Sequence, residues 1–248
     1  MRLRAIVEYL GSSWAGWQAQ DGVPTIQCDI EKAILIATGI ELRIAVAGRT
    51  DSGVHAHGQV IAFDVPEGTN IRRLRGSLNA LTGAGISIVS LERVHDSFNP
   101  RKEAVARTYR YTIMHGRPRS PFLDDRAWTI YAPVPSEPLL ELAPMVLGEH
   151  DFRAFRASDC ESRSTFRTVT ESRWEADGAL LTYTVTANAF LKQMVRTLVG
   201  TMVDVALGRL PTQVFPLLLS GRATRQQGGR TAPARGLTLL RVEYPDSR

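Results

Sequence analysis

Between Leu3 and Met114 the apolar residues of this chain change period repeatedly, and the order of those periods constrains the fold more than any other feature. Residues 3–9 (LRAIVEY) alternate: Leu3, Ala5, Val7 and Tyr9 fall on one face and the charges on the other, as in a half-buried strand. A loop rich in Gly, Ser, Asp-Gly and Pro follows over 10–25. Thr25 is placed to cap a helix over 26–38 that Gly39 ends. Residues 42–47 and 58–64 read as strands, Asn70 caps a second helix running to about Leu81, and 86–94 and 106–114 read as strands. Strand, helix, strand, strand, helix, strand is the ferredoxin-like order.

A proline-rich stretch at 117–138 interrupts this pattern, and the second half repeats it less regularly. A short helix is expected near 137–147, and strands at 167–176 and 180–187 flank the Asp177-Gly178 turn signal. A long helix over about 190–207, a short one over 211–220 and a last strand at 236–243 complete the chain. The expectation is an α+β protein of two ferredoxin-like, RRM-like halves, 1–115 and 116–248. Their strands would share a mixed, mainly antiparallel sheet flanked by helices.

Composition excludes several alternatives. With 44% hydrophobic and 22% charged residues among 248, the chain buries an ordinary core and is neither disordered nor fibrous. Its longest uncharged stretch, Gly178 to Leu191, contains Thr, Tyr and Asn and falls short of the roughly 20 apolar residues that span a bilayer. Glu8 interrupts the position where a signal peptide needs a continuous apolar run, and Cys28 and Cys160 lack metal or disulfide-framework spacing. A cytoplasmic protein with two free thiols and no membrane partner is expected. The net charge of +5 favours a polyanionic partner, and the positive charge is nearly all arginine, with lysine only at 32, 102 and 192. A GC-rich genome would enrich arginine equally.

The densest chemistry lies in GRTDSGVHAHGQV, Gly48 to Val60. His55 and His57 would project from one strand face, as at the start of a metal site. His95, His115 and His150 are each isolated from a second ligand at useful spacing, so a metal site lacks its third and fourth members. The other reading centres on Asp51, in a loop between two strands with Gly48 and Gly53 allowing tight backbone. Three further segments bear on it. In RTYRY, Arg107, Tyr109 and Tyr111 share a strand face, a pattern suited either to stacking on a base beside phosphates or to filling a core. In ANAFLKQMVRTLVG, the residues Leu191, Met194, Val195, Leu198 and Met202 form an apolar helical stripe, with Lys192 and Arg196 on another. An arginine near the buried side of a helix generally needs a carboxylate partner. From Phe152 to Val169, arginines and aromatics interleave as on a nucleic-acid surface or a charged loop.

GRTDSGVHAHGQV, ARTYRY and ANAFLKQMVRTLVG, in this order and spacing, resemble the motifs of the tRNA pseudouridine synthase A (TruA) family. EYLGSSWAGWQAQ, the stretch around Cys160 and ARGLTLLRVEYP extend the resemblance over nearly the whole chain. It implies the pseudouridine synthase fold and an isomerase that converts uridine to pseudouridine at positions 38 to 40, in the anticodon stem-loop of tRNA. It further implies a homodimer whose subunits jointly hold one tRNA, with no cofactor and no metal. By the same resemblance Asp51 is the nucleophile, Tyr109 lies under the target uracil, and Arg196 is the ion-pair partner of Asp51. Arg49 helps extrude the nucleotide, and Arg101 is a substrate contact. The chain departs from the family at Asn99-Pro100, where His-Ala often precedes the arginine, and in the composition of SSWAGWQ.

These residue types suit that reaction. Breaking the bond from ribose C1′ to uracil N1 and forming one to C5 oxidises and hydrolyses nothing. A carboxylate attacks the sugar or the base, or acts first as a base at the sugar; the residues leave this open. A neighbouring guanidinium favours its ionised form. The phenol of Tyr109 would stack on the detached base and offers a route for the C5 proton. A paired uridine must first leave its stem, at a cost of a few kcal/mol that arginine contacts offset.

Overall fold

A computed structural model describes residues 1–245, which fall into two compact units: Met1–Val105 with the segment from Thr238 onward, and Ala106–Leu237. The expected boundary at 115/116 thus differs from the compact division at both ends of the second half. Strand 106–115 is held by eight residue pairs to Leu180–Ala187, and Thr238 and Leu239 pair with His55 and Ala56 of the first unit.

The first unit has the strands β1 (Arg2–Tyr9), β2 (Ala45–Val46), β3 (His55–Asp64) and β4 (Ile86–Arg93) and the helices α1 (Ile26–Thr38) and α2 (Ile71–Leu81). In the sheet, β4, β1 and β3 lie side by side and antiparallel, with β2 antiparallel on the far side of β3. Element order and strand order together are those of a ferredoxin-like unit. Helix α1 has the expected bounds: the Thr25 hydroxyl accepts the Cys28 amide at 3.4 Å, and Gly39 ends the helix in the left-handed conformation. On β1, Leu3, Ala5, Val7 and Tyr9 are all buried, as their alternation requires. Strand β3 is buried on both faces, because Phe98, Ala47 and partly buried Val242 and Tyr244 cover the side away from the helices.

The second unit contains β5 (Ala106–His115), β6 (Trp128–Ile130), β7 (Gly148–Asp151), β8 (Phe166–Asp177) and β9 (Leu180–Ala187), with α3 (Glu137–Leu142), α4 (Met194–Ala206) and α5 (Val214–Leu219). Strands β5, β9, β8 and β7 form an antiparallel sheet in that order, and β6 adds parallel to β5. Helix α4 is the centre of the core. Its residues Met194, Leu198 and Met202 are fully buried, and the Trp174 indole donates to Met202 Sδ at 3.2 Å. Phe152, Phe155 and Phe215 pack around it with ring centroids about 6 Å apart. The expected α+β class and mixed, mainly antiparallel sheet hold in each unit.

Several local readings change. The strand expected at 42–47 shrinks to Ala45–Val46, and β3 starts at His55 rather than 58 because the closing strand β10 (Leu237–Glu243) pairs there. Strands β6 and β7 were not foreseen; each is three or four residues long and exists only through its neighbour. Helix α4 begins at Met194, four residues later than expected, because Gln193 adopts φ 63 in the left-handed region.

Candidate functional site

In the first unit Asp51 stands on a turn between β2 and β3. The Val54 amide donates to the Asp51 carbonyl at 3.1 Å, and Gly53 at φ 79 supplies the third position, where such a turn needs glycine. Neighbouring groups pin this turn from below. The Trp17 amide donates to the Thr50 carbonyl at 3.1 Å, the Thr50 hydroxyl meets the Tyr9 phenol at 2.8 Å, and Gln59 Nε2 donates to the Gly48 carbonyl at 2.7 Å. A Cβ on Gly16 would lie 3.0 Å from Ser52 N and 3.1 Å from Thr50 O, and Gly16 has φ +99, so only glycine lets the two loops touch here. Burial pushes the Tyr9 phenol up to about 12, with its bonds to Thr50 and Gln59 pulling the other way, so this hydroxyl stays protonated. Asp51 itself is half-buried and Arg49 exposed.

The SSWAGWQ loop owes its composition to the same packing. Trp14 donates from its indole to Asp29 Oδ2 of α1 at 2.7 Å, and Trp17 is buried beside the Tyr9 ring, 6.0 Å between centroids. Both histidines of the motif have local tasks. His55 is buried and its Nδ1 accepts the Gly11 amide at 3.1 Å, whereas exposed His57 has its Nδ1 2.6 Å from Glu8 Oε1. Among the described residues no three His, Cys, Asp or Glu side chains cluster as metal ligands.

Arg101 lies in a separate loop of this unit, where the Asn99-Pro100 departure forms a defined turn. Asn99 Oδ1 accepts the amides of Arg101 at 3.1 Å and Lys102 at 3.0 Å, and Glu103 Oε1 accepts the Asn99 amide at 2.6 Å. The Tyr244 hydroxyl donates to the Pro100 carbonyl at 2.8 Å. The backbone under exposed Arg101 is therefore anchored.

Tyr109 and Arg196 belong to the second unit. Tyr109 is half-buried in β5, with Phe190 edge-on to its ring at 5.0 Å between centroids. Tyr111, two residues on, is core: it is fully buried and its hydroxyl donates to the Pro233 carbonyl at 2.7 Å. Burial therefore divides the shared face, and of its two tyrosines only Tyr109 stays near a surface. Arg196 sits in the first turn of α4, the positive end of the helix dipole, just after the left-handed Gln193. Both features oppose local stability. Its Nε donates to the Ala232 carbonyl at 2.8 Å.

Two expectations in this unit need correction. Lys192 shares no helical stripe with Arg196; it precedes α4 and its Nζ donates to Asp159 Oδ2 at 2.6 Å. Phe152 and Phe155 are buried core, so Phe166 is the one phenylalanine of 152–169 left exposed. The pinning groups Thr50 and Gln59, and residues 228–236, which hydrogen-bond to α4, carried weaker signals. Asp204, a lone acid in the apolar run VGTMVDVA, was the clearest.

A family model described as tRNA pseudouridine synthase matches residues 142–245. The tRNA pseudouridine synthase A of Myxococcus xanthus is 37% identical over 246 residues, covering 99% of this chain and 92% of its own. That of Geotalea daltonii is 38% identical over 242 residues, and that of Geobacter sulfurreducens 37% over 243, each covering 98% of this chain and 99% of its own. Among solved structures, a Cbf5-Nop10-Gar1 complex aligns at TM-score 0.40 and 12% identity over 95% of this chain and 57% of that one, too loosely to add to the relatives.

Proposed function

Because this chain belongs to the tRNA pseudouridine synthase A family, we propose that it isomerises uridine to pseudouridine in the anticodon stem-loop of tRNA, at positions 38 to 40, with Asp51 as the reacting carboxylate. The observation that carries the reading is the pedestal under Asp51: a glycine-closed turn, pinned by Tyr9, Thr50, Trp17 and Gln59, that presents one half-buried acid. Fixed backbone under a reacting group is what catalysis by positioning demands.

In this reading Arg196 forms the ion pair with Asp51 that keeps the acid ionised and aimed. Its place at a helix N-terminus supports this, since an anionic partner offsets the unfavourable dipole. Tyr109 stacks under the uracil while the bond from C1′ to N1 breaks and that to C5 forms; N1 gains a proton and C5 loses one. The reaction is isomeric and has no use for an oxidant or a water, so no cofactor enters. Arg49, exposed on the loop of Asp51, helps extrude the nucleotide, and Arg101 meets a backbone phosphate. The enzyme works in the cytoplasm as a homodimer. No helix among the described residues is long and apolar enough to cross a membrane.

Unmodified tRNA labelled in uridine, incubated with the protein with and without EDTA and then mapped for pseudouridine, tests the reading. Product confined to positions 38 to 40 and insensitive to EDTA is expected. Product at other positions overturns the anticodon-arm assignment, and activity lost to EDTA and restored by zinc revives the His55/His57 metal site. Affinity for tRNA should fall steeply with salt, and Arg101→Ala should lower the slope of log affinity against log salt by about one unit.

A further inference from the structure

In the second unit, residues 228–236 form a strap laid along α4. Asp204, buried between Val203 and Val205 about two turns beyond Arg196, anchors it. Its Oδ2 accepts the Arg230 amide at 3.0 Å, and its Oδ1 accepts Arg230 Nε at 3.0 Å and Arg209 Nη1 at 3.2 Å. One turn nearer, the Thr201 hydroxyl accepts the Gly229 amide at 3.1 Å. The strap then reaches Arg196, where the Ala232 amide donates to the Arg196 carbonyl at 3.0 Å and the Ala232 carbonyl accepts Arg196 Nε at 2.8 Å.

Two glycines make this approach possible. A Cβ on Gly200 would lie 1.9 Å from the Arg230 carbonyl oxygen, and one on Gly229 would lie 2.6 Å from Thr201 Cα. A glycine in mid-helix is destabilising against alanine, and a buried acid is costly without partners. Apolar residues at positions 200 and 204 would make a more stable helix, so the strap contact explains the presence of Gly200 and Asp204.

We infer that Asp204 is a positioning residue: by holding Arg230 it sets the strap at Ala232, whose carbonyl fixes the direction of the Arg196 guanidinium. Commitment of Nε to that carbonyl restricts rotation of the planar group, as a directed fork onto a carboxylate requires. The inference rests on the proposed reading of Arg196 as partner of the reacting acid.

Asp204→Asn in the full chain tests it, with Arg196→Ala beside it. Exchange of the Arg196 Nε–H, followed by ¹⁵N NMR, should quicken by about tenfold or more as the strap loosens. The kcat should fall on the order of ten- to a hundredfold with KM for tRNA unchanged, the size expected from a misaligned group. The acid limb of the kcat–pH profile should move to higher pH, because Asp51 loses part of its counter-charge. Gly229→Ala, which displaces the strap without touching the charge of Asp204, should move the limb the same way and serves if Asp204→Asn folds poorly. Unchanged exchange in Asp204→Asn overturns the strap's hold on Arg196. A limb that moves in Arg196→Ala and stays put in Asp204→Asn and Gly229→Ala overturns the positioning role. A limb that stays put in Arg196→Ala itself overturns the reading of Arg196.

Discussion

In the loop that carries Asp51 the pinning groups are neutral: the Tyr9 phenol, the Thr50 hydroxyl, the Gln59 amide and backbone carbonyls. Around Arg196, by contrast, the strap hangs on a buried carboxylate and two guanidinium groups. The proposed charges explain the division. Buried charges beside a carboxylate that must stay ionised and reactive would shift its pKa and compete for its partner, so a neutral pedestal leaves the acid to its own counter-ion. An arginine stays protonated in any environment and tolerates ionic neighbours. In this reading the acid is presented by shape, and the guanidinium by an electrostatic scaffold.

The largest effect should come from the pedestal's passenger. Asp51→Asn should lower turnover by roughly 10⁴-fold or more, as removal of a reacting group does, while tRNA binding falls modestly. Turnover within about tenfold of wild type would remove Asp51 from the chemistry and leave its loop a structural turn.

Next comes the opposite charge. Arg196→Ala should cost about 3–5 kcal/mol in denaturant unfolding and lower turnover with it, because it takes the proposed counter-charge from a partly buried carboxylate. Activity should return in part as pH increases, because a carboxyl deprived of a positive neighbour ionises less readily. Arg49→Ala should slow turnover at every pH. A tRNA whose target uridine is already unpaired should rescue Arg49→Ala more than Arg196→Ala, and equal rescue would exchange or merge the two roles.

Gly200→Ala probes the ionic scaffold through its geometry. Its Cβ would meet the Arg230 carbonyl at 1.9 Å, so a loss of about 1–3 kcal/mol is expected in denaturant unfolding. The strap residues should lose hydrogen-exchange protection before the core of α4 does. A neutral outcome would show that the strap moves aside freely.

The smallest effect belongs to the neutral network. Tyr9→Phe should cost about 1–2 kcal/mol by leaving Gln59 and Thr50 short of a partner. The wild-type phenol, raised from 10 to about 12 by burial, holds its proton more tightly folded than unfolded. Its contribution is therefore complete below pH 10 and lost as pH climbs toward about 12. Tyr111 and Tyr183, also raised by burial, keep their own alkaline losses, so the wild-type and Tyr9→Phe unfolding curves should converge over that window. Below it, the difference between them should be flat with pH, which is the signature of a neutral pedestal.

How much of this was legible in the sequence follows the range of the interactions. Thr25 and Gly39 bound α1 because a cap and a left-handed residue act within one turn. Asn70, whose side chain accepts the Arg73 amide at 3.0 Å, does the same for α2, and Gly53 marks the turn beneath Asp51. The Asn99-Pro100 turn was also written locally, in an Asn followed four residues later by Glu103, although the motif was read only as a departure. Strands β6 and β7 were illegible because so few residues carry no period of their own and depend on a neighbouring ladder.

The sequence by itself determined the ferredoxin-like order of the first half and the class of chemistry. Alternation and helical spacing report which face meets a core, and the motif from Gly48 to Val60 reports its chemistry through its resemblance to a known family. Tertiary structure alone decided which of the chemically equivalent residues are structural. Tyr109 and Tyr111 have the same phenol on the same strand face, yet only Tyr111 is sealed beneath the Pro233 carbonyl. His55 is a backbone acceptor because Gly11, distant in sequence, brings its amide there. Asp204 becomes an anchor because residues 229–232 return to α4. Burial and hydrogen-bond pairing arise from contacts between segments far apart in the chain, and no local pattern of residues encodes which segments will meet.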